Sequence, residues 1–191
     1  MLWIIVVEWL ARLVLLVLVL LSGWSVTIII ERYRYFKNLS YNKKRVSELL
    51  KQKKINEYSS DGLDLVNNLL LSLKNFNTNE KIEKGFDVYI QELRSDLEQG
   101  LPVLGTLGST TPFIGLLGTI LGIIVSFGAL SNGSGDMNSV MLSLAEALIL
   151  TAVGLIVAIP AVVGFNYFSR KARAVMSDLS AVKDLYIAYK D

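Results

Sequence analysis

The stretch AEALILTAVGLIVAIPA, residues Ala145 to Ala161, lies inside a longer apolar run from Val140 to Phe168. An apolar segment of this length is typical of a helix that spans a membrane. The run contains one carboxylate, Glu146. Because a charge inside such a helix is energetically expensive, it usually faces a partner or a water-filled path. We therefore interpret Glu146 as a candidate titratable site in an ion pathway. The alternative is a carboxylate near the outer membrane face that reaches the lipid headgroups.

A second long apolar run, TTPFIGLLGTILGIIVSFGAL, extends from Thr110 to Leu130 and predicts another membrane helix. Glycines recur along this run and just before it, at Gly108, with spacings of seven and four, so that several lie close to one face of the helix. Small residues of this kind allow membrane helices to approach closely. We assign a helix-packing role to these glycines and to one in the third span: Gly108, Gly115, Gly118, Gly122 and Gly154.

Two threonines are predicted at the same depth in these two helices. Only residues 131–138 connect the helices, and they contain no Lys or Arg, which fits a loop on the outer side. At 1.5 Å per residue, Thr119 lies roughly 17 Å and Thr151 roughly 18 Å below the outer ends of their helices. The sequence does not show whether the two hydroxyls face each other.

The strings TPFIGLLGTILGI (Thr111 to Ile123) and AEALILTAVGLIVAIPAV (Ala145 to Val162) resemble the ExbB/TolQ/MotA proton-channel family, most closely its ExbB and TolQ branches. The resemblance is dense from Leu104 to Ser169, where small, hydroxyl and acidic residues recur at fixed places. It implies that three residues line the pore or proton pathway: Thr119, Glu146 and Thr151.

The resemblance also implies an assembly and a function. We expect a homo-oligomeric ring, a pentamer, that encloses the membrane helices of a dimeric single-span partner of the ExbD/TolR type. That partner would supply an aspartate for proton transfer. The expected function is a proton-driven motor of the bacterial inner membrane, surrounded by membrane lipids, that uses the proton motive force for protein transport or for envelope integrity. The alternatives are a MotA-like stator for flagellar or gliding motility and a non-conducting membrane scaffold.

The amino-terminal run predicts a third membrane helix, with Leu13 to Ile30 long enough to cross a bilayer. A signal peptide is the alternative, although no small-residue cleavage site follows. Glu8 and Arg12 are four residues apart, so they are expected to pair on one helical face. With Trp3 and Trp9 nearby, we interpret this end as an interfacial collar rather than as part of the conducting path.

Basic residues place both the central segment and the carboxyl end in the cytoplasm. From residue 32 to residue 54, nine basic residues are opposed by one acidic residue, Glu48, and the sequence SRKAR follows Phe168. Because cytoplasmic flanks of membrane helices are enriched in Lys and Arg, the amino terminus is expected outside, in the periplasm, and the carboxyl terminus inside.

The polar segment between the first two spans predicts a small cytoplasmic helical bundle. Apolar residues recur at helical spacing in two stripes, and Asn77 to Glu80 is a candidate helix start between them. Gly100-Leu101-Pro102 marks a break before the second span. The stripes are Leu63, Val66, Leu70, Leu73 and Phe76, and then Ile82, Phe86, Tyr89, Leu93 and Leu97.

The full expectation is an all-α, three-span protein. Its predicted parts are an outer collar with the first membrane helix (1–30), a cytoplasmic helical domain (31–104), the second membrane helix (105–130), a periplasmic loop (131–138), the third membrane helix (139–168) and a cytoplasmic helical tail (169–191).

Composition argues against several other classes of protein. The 191 residues carry a net charge of +2, which is not typical of a nucleic-acid-binding protein. The chain has no His and no Cys, so disulfides, thiol nucleophiles, imidazole bases and most zinc sites are excluded. No motif arranges the remaining Ser, Asp, Glu and Lys residues for catalysis. We expect no enzyme activity, no metal and no cofactor.

Overall fold

The computed structural model describes residues 2–39, 41, 65–74, 78–131 and 136–188. Within these ranges the chain forms five helices: α1 (Leu2–Asn38), α2 (Leu65–Lys74), α3 (Asn79–Glu98), α4 (Leu101–Ser131) and α5 (Met137–Ala188). The prediction of an all-α chain is confirmed for this part of the protein. Leu63, Phe76 and Asn77 of the predicted central segment lie outside the described residues.

Three of the described helices are long and apolar enough to cross a membrane. They are α1 from Ile5 to Asn38, the whole of α4, and α5. Each contains at least 18 consecutive residues that are apolar with few charges, which suffices for a span of about 30 Å. The expectation of three candidate membrane helices is therefore confirmed.

The chain divides into two compact units. Unit 1 comprises Met1–Tyr33 and Gly100–Asn166, and unit 2 comprises Arg34–Gln99 and Tyr167–Asp191. Helices α1 and α5 are continuous through the points where the units divide, so each contributes one part to unit 1 and another to unit 2.

Unit 1 is held together by an apolar cluster from its three helices. Val14 and Leu18 of α1 are buried with Leu121 of α4, and Ile114 and Val153 pack against them. Because few atoms of these side chains reach the surface, they fix the positions of α1, α4 and α5 within this unit.

Two glycines bring the backbones of α4 and α5 into direct contact. A Cβ atom added to Gly115 would lie 2.7 Å from the Leu150 carbonyl oxygen, and one added to Gly154 would lie 2.8 Å from the Thr111 carbonyl oxygen. Side chains do not approach backbone this closely without a shift, so only glycine fits at these two positions.

In unit 2, α2 packs against α3 through buried apolar faces. The buried residues of α2 are Val66, Leu69 and Leu73, whereas the predicted member Leu70 is only half-buried. Helical periodicity did not distinguish these two adjacent leucines, and the tertiary structure encloses Leu69. Tyr89 of α3 is also half-buried, and its hydroxyl donates to the Leu65 carbonyl oxygen at 3.1 Å.

The ends of α1 and α5 complete unit 2. The rings of Phe36 and Phe168 stack with centroids 5.6 Å apart and planes 10° from parallel. Lys183 Nζ lies 5.0 Å from the ring centroid of Phe86 in α3. Tyr41 donates a hydrogen bond to the Asp178 carboxylate. These contacts attach the second half of α5 to residues that are distant in sequence.

Two predicted helix boundaries are present. Thr78 precedes α3 with extended backbone angles (φ −118°, ψ 141°), although its side chain makes no capping hydrogen bond. Helix α3 ends at Glu98 and α4 begins at Leu101. Gly100 between them has φ 73°, a conformation that favours glycine.

Candidate functional site

Helices α4 and α5 bring the hydroxyls of Thr119 and Thr151 together, and we call these two residues the hydroxyl pair. Thr151 Oγ1 donates to Thr119 Oγ1 at 3.5 Å, and Thr119 Oγ1 donates to the Leu116 carbonyl oxygen at 2.7 Å. A separation of 3.5 Å is well beyond the 2.7–2.8 Å typical of a strong hydroxyl–hydroxyl bond. The pair is therefore only weakly bonded, and a third polar group could compete for it.

Thr151 differs from several other hydroxyl residues of unit 1. Thr111 donates to the Leu107 carbonyl oxygen at 2.7 Å, and Ser126 donates to that of Gly122 at 2.9 Å. Such bonds to the preceding turn are the usual way for a hydroxyl to be satisfied in a membrane helix. The Thr151 hydroxyl instead points to the neighbouring helix, where Thr119 is only 5% exposed.

Close backbone contact positions the hydroxyl pair. A Cβ atom on Gly115, one turn before Thr119, would lie 3.1 Å from the Thr151 Cα atom, and Gly154 packs on Gly115 from the other side. The remaining predicted packing glycines also face neighbouring helices: Gly108 contacts Val162, Gly118 contacts Leu150 and Val14, and Gly122 contacts Ala147.

Glu146 does not lie beside the hydroxyl pair. It is five residues from Thr151, which corresponds to roughly 7.5 Å along the axis of α5. Its side chain is exposed and lines a cavity of about 380 Å³ between α1, α4 and α5. Within the described residues, the Glu146 carboxylate has no hydrogen-bond or ion-pair partner.

The same cavity is lined by two charged residues that the sequence predicted to belong to the interfacial collar. Glu8 and Arg12 of α1 both line it, and Arg12 Nη2 lies 2.7 Å from Glu8 Oε1. The predicted i,i+4 pair is thus present. One feature of the sequence could have indicated that this pair lies close to Glu146. Glu8 and Arg12 are near the start of the first span, and Glu146 is near the start of the third. We call this space, with Glu8, Arg12 and Glu146, the charged cavity.

A capping interaction starts α5 close to the predicted loop. The Ser139 backbone N–H donates to Asp136 Oδ1 at 3.1 Å, and the Ser139 hydroxyl donates to the Asp136 carbonyl oxygen at 2.8 Å. Hydrogen bonding from the Ser139 side chain, followed by that from its backbone, lowers the pKa of the Asp136 carboxyl below its ordinary value of 3.8. Asp136 is therefore a charged helix cap.

The described residues contain no group of three or more His, Cys, Asp or Glu side chains that could hold a metal ion. The ionisable and hydroxyl chemistry of unit 1 is consequently that of hydroxyls, carboxylates and the guanidinium groups of Arg12 and Arg32.

Comparison with protein families matches residues 51–181 to the MotA/TolQ/ExbB proton channel family. The match covers more than half of the chain and includes the hydroxyl pair and Glu146. It begins after the first predicted span and therefore does not include Glu8 or Arg12.

Individual relatives support the same branch of this family. The chain is 40% identical over 101 residues to the biopolymer transport protein ExbB of Xanthomonas campestris pv. campestris, an alignment that covers 51% of this chain and 39% of that protein. It is 41% identical over 98 residues to the Tol-Pal system protein TolQ of Pseudomonas aeruginosa, which covers 51% of this chain and 42% of that protein.

These two alignments span only about two fifths of the relatives' own lengths. A longer alignment exists with the biopolymer transport protein ExbB of Neisseria meningitidis serogroup A. It is 29% identical over 196 residues and covers 91% of this chain and 88% of that protein.

Proposed function

This chain belongs to the MotA/TolQ/ExbB proton channel family, and we propose that it is the ring-forming subunit of a proton-driven motor in the bacterial inner membrane. It is a multi-pass membrane protein of the ExbB/TolQ type. In our proposal, the proton motive force drives work on the envelope or the outer membrane, either transport or the maintenance of envelope integrity.

The hydroxyl pair is the observation that carries this proposal. Thr119 and Thr151 meet at 3.5 Å between two apolar helices, and the Thr151 hydroxyl has no carbonyl of its own helix as acceptor. A hydroxyl can donate one hydrogen bond and accept others, so the pair can hold a protonated or an ionised carboxyl group in turn. Such an arrangement suits a transient binding site for a proton-carrying group within the membrane.

The carrier itself must come from another chain. Threonine hydroxyls do not ionise near neutral pH, and α4 contains no Asp, Glu, Lys or Arg. Glu146 lies roughly 7.5 Å away along α5, too far to serve as the carrier beside the pair. The resemblance to the ExbB/TolQ branch implies a partner of the ExbD/TolR type. We propose that the membrane helices of a partner dimer present an aspartate to the hydroxyl pair.

A ring of copies would supply the rest of the wall. In one copy, only 28% of the most apolar 18-residue stretch is buried in α4, and the same share is buried in α5. Large apolar side chains such as Phe113, which is 71% exposed, point outward. Some of this surface faces lipid, and the part next to the half-buried Thr151 would face the central path. We propose five copies around two partner helices.

Native mass spectrometry of the detergent-solubilised complex tests this proposal. The chain is measured alone and after co-expression with a single-span partner of the ExbD/TolR type. We expect five copies alone, and five copies with two partner chains after co-expression. The same complex in vesicles should pass protons down a pH gradient. A monomer or dimer that ignores the partner and passes no protons would instead indicate a non-conducting scaffold.

A further inference from the structure

The charged cavity gathers three ionisable side chains from two helices of unit 1. Glu8 and Arg12 of α1 and Glu146 of α5 line it, while α4 contributes only the uncharged residues Gly122 and Val125. Its volume of about 380 Å³ is enough for several water molecules and for movement of a long side chain. Neither the resemblance in sequence nor the family match assigns a role to Glu8 or Arg12.

Two carboxylates share one cation in this cavity. With all three groups ionised, their formal charge is −1. Arg12 lies 2.7 Å from Glu8, so Glu146 remains without a counter-ion among the described residues. Both members of the existing pair are well exposed, at 69% for the Arg12 side chain and 48% for that of Glu8. Exposed i,i+4 pairs are weak, so the guanidinium is not firmly held by Glu8.

We propose that Arg12 is a positioning residue for Glu146, and that its guanidinium exchanges between Glu8 and Glu146 according to the charge of Glu146. When Glu146 is protonated, Arg12 pairs with Glu8. When Glu146 releases its proton to water in the cavity, the new carboxylate attracts the guanidinium away from Glu8. The exchange itself does not depend on the proposed function. Only its purpose, to couple the protonation of Glu146 to ion passage, rests on that function.

The exchange predicts that substitutions of Arg12 and of Glu8 shift the pH at which Glu146 loses its proton in opposite directions. Removing the charge of Arg12 leaves ionised Glu146 without its counter-ion, so Glu146 should hold its proton up to a higher pH. Removing the charge of Glu8 frees Arg12 for Glu146, so Glu146 should lose its proton at a lower pH. Charge alone would give these two signs even if the guanidinium never left Glu8, so the double variant is decisive. If Arg12 exchanges, Glu8→Gln should have little effect once Arg12→Gln has removed the guanidinium, whereas a direct effect of the Glu8 charge would persist.

Carbodiimide labelling provides a direct test, because the reagent modifies protonated carboxyl groups. The full chain in lipid vesicles is labelled over a series of pH values, and the label at Glu146 is quantified by peptide mass spectrometry. Relative to the natural chain, Arg12→Gln should raise the pH of half-maximal labelling by about 1 unit, and Glu8→Gln should lower it by about 1 unit. Arg12→Lys, which keeps the charge, should lie closer to the natural chain than Arg12→Gln does.

Glu80→Gln is the matched control. Glu80 and Lys84 form an exposed i,i+4 pair with the same 2.7 Å separation, and they belong to unit 2. This substitution should leave the labelling of Glu146 unchanged. Shifts in the same direction for the two single variants, no shift in either, the full Glu8→Gln shift in the Arg12→Gln background, or no labelling of Glu146 at any pH would overturn the proposal.

The test is independent of conduction. Opposite shifts, with no effect of Glu8→Gln in the Arg12→Gln background, in a chain that forms no complex and passes no protons would support the exchange and contradict the proposed function. A conducting complex in which the Arg12 and Glu8 variants shift the pH of half-maximal labelling in the same direction would support the proposed function and contradict the exchange.

Discussion

Thr151 is the residue whose geometry bears most directly on function. In an apolar helix the nearest acceptor for a threonine hydroxyl is the carbonyl oxygen one turn earlier, as Thr111 and Ser126 show. Thr151 donates instead to a hydroxyl on another helix. A bond of 3.5 Å contributes little to stability, which favours the proposed role of Thr151 in proton passage over a role in folding.

Thr151→Val should therefore separate function from folding. Valine has nearly the shape of threonine and lacks the hydroxyl, so insertion and assembly should persist. Loss of one hydrogen bond to the proton carrier, about 1.4 kcal/mol, should slow proton flux about tenfold. Flux is measured with a pH-sensitive dye in vesicles that contain the partner complex. Thr151→Ser keeps the hydroxyl and should conduct at nearly the natural rate. Natural flux in the valine variant would remove Thr151 from the pathway.

Asp136 gives the first turn of α5 a dependence on pH. Its folded-state pKa lies below the ordinary value of 3.8, so ionised Asp136 stabilises the turn. This contribution is complete above 3.8 and is lost as the pH falls through the lower, folded-state pKa. We expect hydrogen exchange at the Ser139 amide, relative to its intrinsic rate, to accelerate only in that acidic range.

Two variants check the assignment. Asp136→Asn should keep the cap, since Asn is also a good helix cap, and should remove the acid dependence. Asp136→Ala should expose the Ser139 amide at every pH. Equal protection of that amide in the alanine variant and the natural chain would show that the cap has no effect.

At the scale of elements, glycine contact between α4 and α5 is what places the hydroxyl pair. A Cβ atom added to Gly115 or to Gly154 would lie less than 3 Å from a carbonyl oxygen of the other helix. Rigid backbone, rather than a flexible side chain, occupies the space in both cases. The helices therefore cannot accept a methyl group here without moving apart.

Gly154→Ala should destabilise the protein by about 1–3 kcal/mol, the usual cost of overpacking, and should also reduce proton flux by separating Thr119 from Thr151. Thermal unfolding in detergent measures the first effect, and vesicle assays measure the second. Gly23→Ala is the control, because a Cβ atom at Gly23 meets nothing within 4 Å. If the two variants unfolded at the same temperature, the close contact would not be required.

At the scale of the whole molecule, the distribution of charge predicts the orientation in the membrane. SRKAR follows Phe168 in α5, whereas the connection between α4 and α5 lacks Lys and Arg. The positive-inside rule then places the ends of α4 and α5 that adjoin this connection outside the cytoplasm.

Single-cysteine labelling tests that orientation in a chain that naturally contains no Cys. Ser131 and Arg173 are both exposed positions in helices. A membrane-impermeant maleimide added to intact spheroplasts should label Ser131→Cys, and it should label Arg173→Cys only after the membrane is disrupted. The reverse pattern would invert the proposed topology. The natural chain should remain unlabelled in both conditions.

The helices were predictable from the sequence because hydrophobic length and periodicity are local properties. The three apolar runs account for the candidate spans, and the equal depth of Thr119 and Thr151 followed from the fixed rise of an α-helix. The face of α2 was less predictable. Leu69 and Leu70 are equally apolar neighbours, and only the tertiary packing determines that Leu69 is enclosed.

The rotation of each helix about its axis, and the side-chain contacts between helices, could be determined only from the tertiary structure. By itself, the sequence determined the number of apolar helices, the presence of one carboxylate in the apolar run from Val140 to Phe168, and the resemblance to a proton-channel family. Each of these is a property of one continuous stretch of chain. Only the tertiary structure decided that the two threonines meet, and that Glu146 shares its cavity with Glu8 and Arg12. Those contacts depend on how α1, α4 and α5 rotate against one another, and the steric fit of Gly115, Gly154 and the Val14 cluster sets that rotation.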